Sequence, residues 1–296
     1  MYSVAKPSLF CSIIIPVFNH WHLVPELLDC LEKQSLDASR FEIILVDNGS
    51  QIGPKDIETA GNCTILTCTK PGSYAARNHA IKQARGKIIA FTDSDCRPHT
   101  EWLENALHHY TDGANRDLIV AGGIVVEPLK QSNIRPVEMY DMALGFRQEE
   151  YVRNGFGATA NLFVPSDIFE HMGVFDGARF SGGDAAFCRR AVAGGNRITF
   201  CCDASVSHSA RKNWQELKSK ALRIKGGQLT GGRVVERCQY GLMTLLPPLK
   251  VWWKALRVNR LTRSQRFRLC AIQARLWLAE IVEMARLMLG GTPRRG

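Results

Sequence analysis

The sequence predicts an α/β fold in which a mainly parallel sheet is flanked by helices. Three observations support this class. Strand-like runs alternate with helical runs over residues 12–100, several strands are continuously apolar, and polar clusters follow three of the strands. Continuously apolar strands are typical of parallel sheets covered on both faces, and the ligands of such sheets bind at the carboxyl ends of the strands.

The individual elements follow from short β-branched runs and from apolar residues at helical spacing. Predicted strands cover 12–16, 41–47, 64–68 and 87–92, and predicted helices lie near 23–34, near 73–84 and from about residue 100. The polar clusters PVFN (16–19), DNGS (47–50) and DSD (93–95) follow the first, second and fourth strands. We expect these clusters to meet at one edge of the sheet.

Charge divides the chain into two parts. Residues 1–208 hold 19 Lys and Arg against 24 Asp and Glu, a net charge of −5, whereas residues 209–296 hold 19 against 4, a net charge of +15. This asymmetry predicts that the last third meets an anionic surface, either a membrane or a nucleic acid. Because no helix-turn-helix, zinc finger or base-stacking motif accompanies the charge, we expect no nucleic acid partner.

Cysteine usage and the N-terminal stretch bear on location. The ten cysteines show no C-x-x-C spacing, which is typical of reduced, mostly buried thiols in a cytosolic protein. Residues 7–25 carry no charge, but Pro16, Asn19 and Pro25 interrupt them and no small-residue cleavage site follows. We therefore expect neither a signal peptide nor a membrane span.

The fourth strand ends in two carboxylates, Asp93 and Asp95, separated by Ser94. Alternate residues of a strand project to the same side, so both carboxylates can reach a common point. Hard oxygen ligands at this position suit Mg²⁺ or Mn²⁺, with substrate phosphates completing the coordination shell. The alternative is an Asp-rich turn in which Asp95 or Thr100 caps the next helix.

Four ordered motifs, SIIIPVFN (12–19), ILVDNGS (44–50), GSYAARN (72–78) and FTDSD (91–95), resemble the family 2 glycosyltransferases. These are inverting enzymes of the GT-A fold, and the resemblance extends over roughly residues 10–226. It implies that Pro16 and Asn19 border a nucleobase pocket, that Asp47 contacts the base and that Asp95 binds the metal. The remaining nucleotide contacts that it implies are Arg77, Asn78, Asp93 and Ser94.

Taken alone, some of these residues have a simpler interpretation. Asp47 also fits an Asx turn, and Arg77 also fits a surface salt bridge, with Asp93 as one partner. Dinucleotide and P-loop functions are disfavoured, because no G-x-G-x-x-G follows the first strand and KPGS (70–73) lacks the P-loop spacing.

The acceptor side is expected in the segment GGDAAFCRR (182–190), which follows a predicted strand at 157–164 and a short helix opened by Pro165. The segment resembles the family pattern G-E-D-x-[DE]-[FL]-x-x-R, which implies that Asp184 is the catalytic base. Gly183 and Ala186 depart from that pattern, and helix capping is the alternative role of Asp184. His208 follows a predicted strand at 198–202 and the segment 205–207, and the resemblance implies a second metal ligand there, whereas a lone His is more often structural.

The basic C-terminal part is predicted to be helical at 214–226 and 261–289, with a segment at 242–253 broken by Pro247 and Pro248. In the last helix, residues 267, 270, 274, 277, 281 and 288 share one face. Such a basic, aromatic face fits either a membrane interface or packing on the catalytic domain or a second subunit. The expected domains are therefore a GT-A domain at 1–226 and a basic amphipathic helical extension at 227–296.

The resulting expectation is a Mg²⁺- or Mn²⁺-dependent inverting glycosyltransferase that moves a sugar from a nucleoside-diphosphate sugar to an acceptor hydroxyl. The acceptor would be a saccharide or a lipid-linked glycan in surface polysaccharide or glycolipid synthesis. The expected location is the cytoplasm, with an anionic membrane surface as the partner that would hold the protein on the inner face of the cell membrane. The alternatives are a non-catalytic sugar-nucleotide-binding or membrane-scaffold protein and a nucleotidyltransferase, although PVFN (16–19) is no phosphate loop.

Overall fold

A computed structural model describes residues 11–55, 57–113, 115–130, 132–259 and 261–294. Residues 7–10 of the uncharged N-terminal stretch lie outside the described part. The chain divides into two compact units. The first comprises Met1–Val125, Gln148–Ala178 and Gly183–His208, and the second comprises Val126–Arg147, Arg179–Gly182 and Ser209–Gly296. The domain boundary at residue 226 stays a prediction, because these are units of compactness rather than separately folding pieces.

Strands and helices alternate along the first unit as the sequence predicts. In chain order the strands are β1 (Cys11–Val17), β2 (Phe41–Asp47), β3 (Cys63–Thr67), β4 (Ile88–Thr92), β5 (Cys96–Pro98), β6 (Leu118–Glu127), β7 (Asn161–Pro165) and β8 (Arg197–Ser209). The helices are α1 (Val24–Glu32), α2 (Ser73–Ile81), α3 (Trp102–Leu107), α4 (Pro136–Leu144), α5 (Gln148–Arg153), α6 (Ser166–Met172), α7 (Gly183–Ala193), α8 (Trp214–Thr230), α9 (Val234–Leu245), α10 (Leu249–Leu256) and α11 (Arg263–Met288).

The described strands form one sheet in the order β3-β2-β1-β4-β7-β6-β8-β5. Strands β1 to β4 are parallel to one another, whereas β7 runs antiparallel to β4 and β6 runs antiparallel to β7. The α/β class with a central parallel set of strands is therefore confirmed. All residues of β2 and β4 are buried, because both faces of the parallel strands are covered.

Several boundaries differ from the sequence prediction. The strand expected at 157–164 begins only at Asn161, and the strand expected at 198–202 extends from Arg197 to Ser209 as β8. Strand β6 was not predicted. Its Gly122 lies so close to its neighbours that a Cβ would fall 2.2 Å from the Ala204 carbonyl oxygen, so this strand depends on a close approach of backbones that composition does not indicate.

The second unit is built from α4 and α8 to α11. Its core includes Tyr140, Leu217, Ala255, Leu269 and Leu276. Pro247 and Pro248 separate α9 from α10, as the sequence predicts. The indole of Trp277 on α11 donates to the Thr244 carbonyl oxygen at 2.8 Å, so this side chain faces α9 rather than solvent. Within the described residues, no helix combines the length and the apolar character needed to cross a bilayer.

Candidate active site

The site lies at the carboxyl ends of the parallel strands. The register of β1 and β2 pairs Val17 with Asp47, and the Asn48 amide donates to the Val17 carbonyl oxygen at 2.8 Å. Residues 93–95 follow the end of β4, which is paired with β1. The three polar clusters expected at this edge are therefore all at ends of neighbouring strands.

The Asp47 side chain is buried, and its carboxylate is held in place by a hydrogen bond from a tryptophan indole. Its Oδ1 accepts from the Trp21 indole at 2.9 Å and from the Ser50 amide at 3.4 Å. Asn19, with a φ of 59°, links the loops after β1 and β2, because its amide donates to Ser50 Oγ at 2.9 Å and its Oδ1 accepts from the Gln51 amide at 2.8 Å. The bond to the Ser50 amide spans three residues rather than the two of an Asx turn, and the Trp21 contact fixes the orientation of the carboxylate.

The loop before α2 is organised by the buried side chain of Asn48. Its Nδ2 donates to the carbonyl oxygens of Cys68 and Lys70, and its Oδ1 accepts from the Gly72 amide at 2.8 Å. Gly72 has a φ of 117°, a conformation that glycine adopts without steric cost. These bonds fix where α2 begins, and so fix the direction of the side chains that α2 carries.

Helix α2 brings Arg77 to the acidic cluster. Arg77 is 2% exposed, and its Nη2 lies 2.5 Å from Asp93 Oδ1. The Arg77 end of the ion pair is buried, the Asp93 side chain is 36% exposed, and the pair fixes the Asp93 carboxylate. The next residue, Asn78, has a scaffold contact: its amide donates to the Phe175 carbonyl oxygen at 2.7 Å and accepts from the Phe175 amide at 3.1 Å.

The second aspartate of the cluster pairs with a histidine. His208 Nε2 lies 3.2 Å from Asp95 Oδ2, because the antiparallel register of β5 and β8 sets Cys96 opposite His208. His208 is 5% exposed, whereas the Asp95 side chain is about a third exposed. Helix α3 has Glu101 as its N-cap residue and no capping side chain, so the helix-capping alternative for Asp95 or Thr100 is wrong.

Asp184 lies in the first turn of α7 and is anchored by three donors. The Tyr74 hydroxyl donates to its Oδ1 at 3.0 Å, the Ala185 amide donates to the same oxygen at 2.9 Å, and the Thr159 amide donates to Oδ2 at 3.3 Å. Burial, followed by the negative charge of Asp184, raises the pKa of Tyr74 well above its usual value, which keeps the phenol protonated as a donor.

The structure explains the glycine at position 183. A Cβ built there would lie 2.7 Å from Cδ2 and from Cε2 of Tyr74. The Tyr74 ring therefore occupies the space that a larger side chain at 183 would need. Tyr74 also lies under Arg77, whose guanidinium carbon is 5.5 Å from the ring centroid. One helix, α2, thus contacts both Asp184 and Asp93.

Two residues of the site were not assigned a role from the sequence. Trp21 precedes α1, and nothing local indicates its bond to Asp47. Tyr74 belongs to one of the quoted motifs, but its partner lies 110 positions further along the chain. Pro16 is half-buried within β1, opposite Val46, and the Ser94 carbonyl oxygen accepts from Arg97 Nη1 at 3.2 Å.

The fold and the carboxylates at the strand ends define an α/β protein of the GT-A type. The model of the family described as Glycosyl transferase family 2 matches residues 12–181. Glycosyltransferase AglE of Haloferax volcanii is 37% identical over 227 residues, which are 74% of this chain and 73% of that protein. The chain belongs to glycosyl transferase family 2 and is a glycosyltransferase.

Solved structures share the fold at low identity. The mannosyltransferase PcManGT from Pyrobaculum calidifontis, in complex with GDP-Man and Mn²⁺, is 15% identical with a TM-score of 0.59, covering 95% of this chain and 88% of that one. TarS 1-349 of Staphylococcus aureus is 17% identical with a TM-score of 0.51, covering 96% and 93%. The chain spans less than half the length of the other leading curated relatives that it matches.

Proposed function

We propose that the protein transfers a glycosyl group from a nucleoside-diphosphate sugar to an acceptor hydroxyl, with inversion and with help from a divalent cation. One observation carries this proposal: α2 contacts the acidic cluster through Arg77 and contacts Asp184 through Tyr74. Donor-side and acceptor-side groups are thereby joined on one rigid element, which is what a transfer between two bound substrates requires.

On the donor side, Pro16, Asn19 and Asp47 would border the nucleobase. The Trp21 indole and the Ser50 amide fix the Asp47 carboxylate before any ligand arrives. A carboxylate held in this way accepts hydrogen bonds from a base edge without further loss of side-chain freedom. Arg77, Asn78, Asp93 and Ser94 would flank the rest of the nucleotide.

Asp95 and His208 fit a divalent cation. Two neighbouring ligands of an octahedral Mg²⁺ or Mn²⁺, each about 2.1 Å from the ion, lie roughly 3 Å apart, and Asp95 Oδ2 and His208 Nε2 are 3.2 Å apart. Among the described residues no set of three His, Cys, Asp or Glu side chains forms a metal cluster, so diphosphate oxygens and water would supply the other ligands. A bound cation would offset the negative charge that develops on the departing diphosphate.

Asp184 would act as the general base. Three donors among the described residues reach its carboxylate, which has about four acceptor positions, so Oδ2 can accept one further hydroxyl. The acceptor oxygen would bond to the anomeric carbon as the bond from that carbon to the diphosphate oxygen breaks, and its proton would pass to Asp184. The Tyr74 hydroxyl orients the carboxylate during this transfer.

The acceptor would be a saccharide or lipid-linked glycan in polysaccharide or glycan synthesis. Relatives carry names of this class, such as the poly(ribitol-phosphate) β-N-acetylglucosaminyltransferase TarS, 26% identical over 70% of this chain. Structural neighbours were solved with GDP-Man and Mn²⁺ or with UDP-GlcNAc, so uridine and guanosine donors are the first to test.

The test separates donor binding from transfer. UDP- and GDP-sugars are titrated with and without Mn²⁺, and release of the nucleoside diphosphate is then followed with saccharide acceptors. We expect Mn²⁺-dependent binding of one donor class, and acceptor-dependent release that Asp184→Asn lowers by roughly 10²-fold or more without loss of binding. Binding that is indifferent to Mn²⁺ refutes the metal assignment, and an Asp184→Asn protein with full turnover refutes the base assignment.

A further inference from the structure

The second unit carries a row of exposed apolar side chains at the turn between α9 and α10. We call this row the apolar ridge. Its members are Leu242 (66% exposed), Met243 (63%), Leu245 (54%), Leu246 (60%), Leu249 (65%) and Trp253 (54%). Single exposed leucines are common in folded proteins, but six large apolar residues within twelve positions form a patch.

The inner faces of both helices are already used for packing. Thr244 is 3% exposed and accepts from Lys225 Nζ at 2.9 Å, and Ala255 on α10 is fully buried. The Trp252 indole donates to the Cys270 carbonyl oxygen on α11 at 3.2 Å. The helices are thus held in place from the inside, and the ridge is the outward face of an ordered element.

The stretch of sequence that carries the ridge has charge of one sign. Residues 237–279 contain nine Lys and Arg and no Asp or Glu. Lys250 on α10 and Arg257 directly after α10 are exposed, and the Arg257 guanidinium carbon lies 3.8 Å from the centroid of the Trp253 ring. An indole with a cation over its face is suited to the level of lipid headgroups, where one side is apolar and the other is charged.

We propose that the apolar ridge inserts into the headgroup region of an anionic lipid leaflet, with the surrounding Lys and Arg side chains contacting lipid phosphates. Apolar insertion and attraction to anionic lipid are the two contributions that hold interfacial helices on a bilayer. The ridge supplies the first, and the acid-free run 237–279 supplies the second.

Charge also argues against a second copy of this chain as the occupant. A two-fold contact through the ridge would bring the same cations of both copies together, with no acidic residue of 237–279 to oppose them. A nucleic acid would engage the cations but would leave the leucines without an apolar partner. An anionic bilayer satisfies both features of the surface.

The experiment is co-sedimentation of the full chain with vesicles of phosphatidylglycerol and phosphatidylcholine, or of phosphatidylcholine alone. Leu245→Ser/Leu246→Ser removes apolar area from the ridge, and Lys250→Gln/Arg257→Gln removes two cations. The matched controls are Leu129→Ser/Val174→Ser, two exposed apolar positions outside the ridge, and Lys55→Gln/Lys82→Gln, two exposed cations of the first unit. Thermal melting and circular dichroism check that each variant folds.

We expect the wild-type protein to bind the anionic vesicles and not the neutral ones. The leucine variant should bind roughly tenfold more weakly or worse at any salt concentration. The cation variant should bind up to roughly thirtyfold more weakly at low salt, a difference that roughly 1 M salt removes. Both control variants should bind like the wild type.

Three results would overturn the proposal. One is a folded wild-type protein that ignores anionic vesicles at low salt. Another is equal loss of vesicle binding in the ridge variants and in their controls. That result would mean that binding depends on total charge and apolar area and not on the position of the ridge. The third is a dimer in solution that the leucine variant converts to a monomer, which would assign the ridge to a second copy. None of these measurements uses a nucleotide-sugar donor, so their outcome is independent of the test of the proposed transferase activity.

Discussion

Gly183→Ala tests the packing that joins Tyr74 to Asp184. The added Cβ would lie 2.7, 2.7 and 2.9 Å from Cδ2, Cε2 and Cγ of Tyr74, closer than ordinary contacts permit. The ring cannot yield easily, because Tyr74 is 5% exposed and packs on Phe175 at 5.6 Å between centroids. Overpacking of this kind costs about 1–3 kcal/mol, and the better helix propensity of alanine returns up to about 1 kcal/mol.

We therefore expect Gly183→Ala to lower the free energy of unfolding by roughly 1–2 kcal/mol. We also expect it to slow transfer by roughly tenfold, because displacing the ring withdraws the Tyr74 hydroxyl from Asp184, and a hydrogen bond to a charged group is worth about 1.5–3 kcal/mol. Donor affinity should change little. Urea unfolding, donor titration and turnover measure the three quantities.

The matched control is Gly61→Ala, where a Cβ meets no atom within 4 Å, so the free energy of unfolding should stay within about 0.5 kcal/mol. A double-mutant cycle gives the sharper result: in a Tyr74→Ala background, Gly183→Ala should no longer destabilise the protein. If the alanine costs the same with and without the ring, the clash lies elsewhere and the reasoning is wrong.

Two further substitutions distinguish the general-base role of Asp184 from the orienting role of Tyr74. Asp184→Asn should keep donor affinity and lower turnover by roughly 10²-fold or more, as loss of a positioned general base does; turnover near that of the wild type would leave Asp184 a purely structural role in α7. Tyr74→Phe keeps the ring and removes the donor, so we expect an unchanged fold and donor affinity with turnover about ten- to a hundredfold lower, in line with one lost hydrogen bond to a carboxylate. An equal fall in donor affinity would show that Tyr74 serves the donor instead.

The parallel half of the sheet could be predicted because each of its strands is recognisable from a short run of consecutive residues. Strand β2 has the predicted limits 41–47, since the apolar run 43–46 that ends in Asp47-Asn48-Gly49 is typical of a buried strand followed by a turn. The three polar clusters at 16–19, 47–50 and 93–95 could be assigned to one edge because the carboxyl ends of parallel strands lie at the same edge of a sheet. The fold class thus followed from short-range patterns, whereas the donor-side roles rest on the family resemblance and stay predictions.

The remainder depends on contacts between distant residues. Strand β6 contains Gly122 and Gly123, which weaken a strand pattern by composition, and the Gly123 carbonyl oxygen accepts from the buried Asn161 amide at 2.7 Å. The Tyr74–Asp184 bond joins residues 110 positions apart. Helical periodicity grouped Trp277 with Phe267, whereas the structure turns Trp277 towards α9 and leaves Phe267 67% exposed, because α11 packs against several helices at once.

The most direct test of the proposed mechanism is isothermal titration of UDP and GDP into the protein with Mn²⁺ present or absent, comparing wild type with Asp95→Asn. The asparagine keeps the size of the side chain and removes the charge, and Asp167→Asn, on the surface of α6, is the matched control. We predict Mn²⁺-dependent binding of one nucleotide by the wild type and the control, and loss of that dependence in Asp95→Asn. Mn²⁺-dependent binding of undiminished affinity in folded Asp95→Asn would contradict the assignment of the metal to the Asp95–His208 pair.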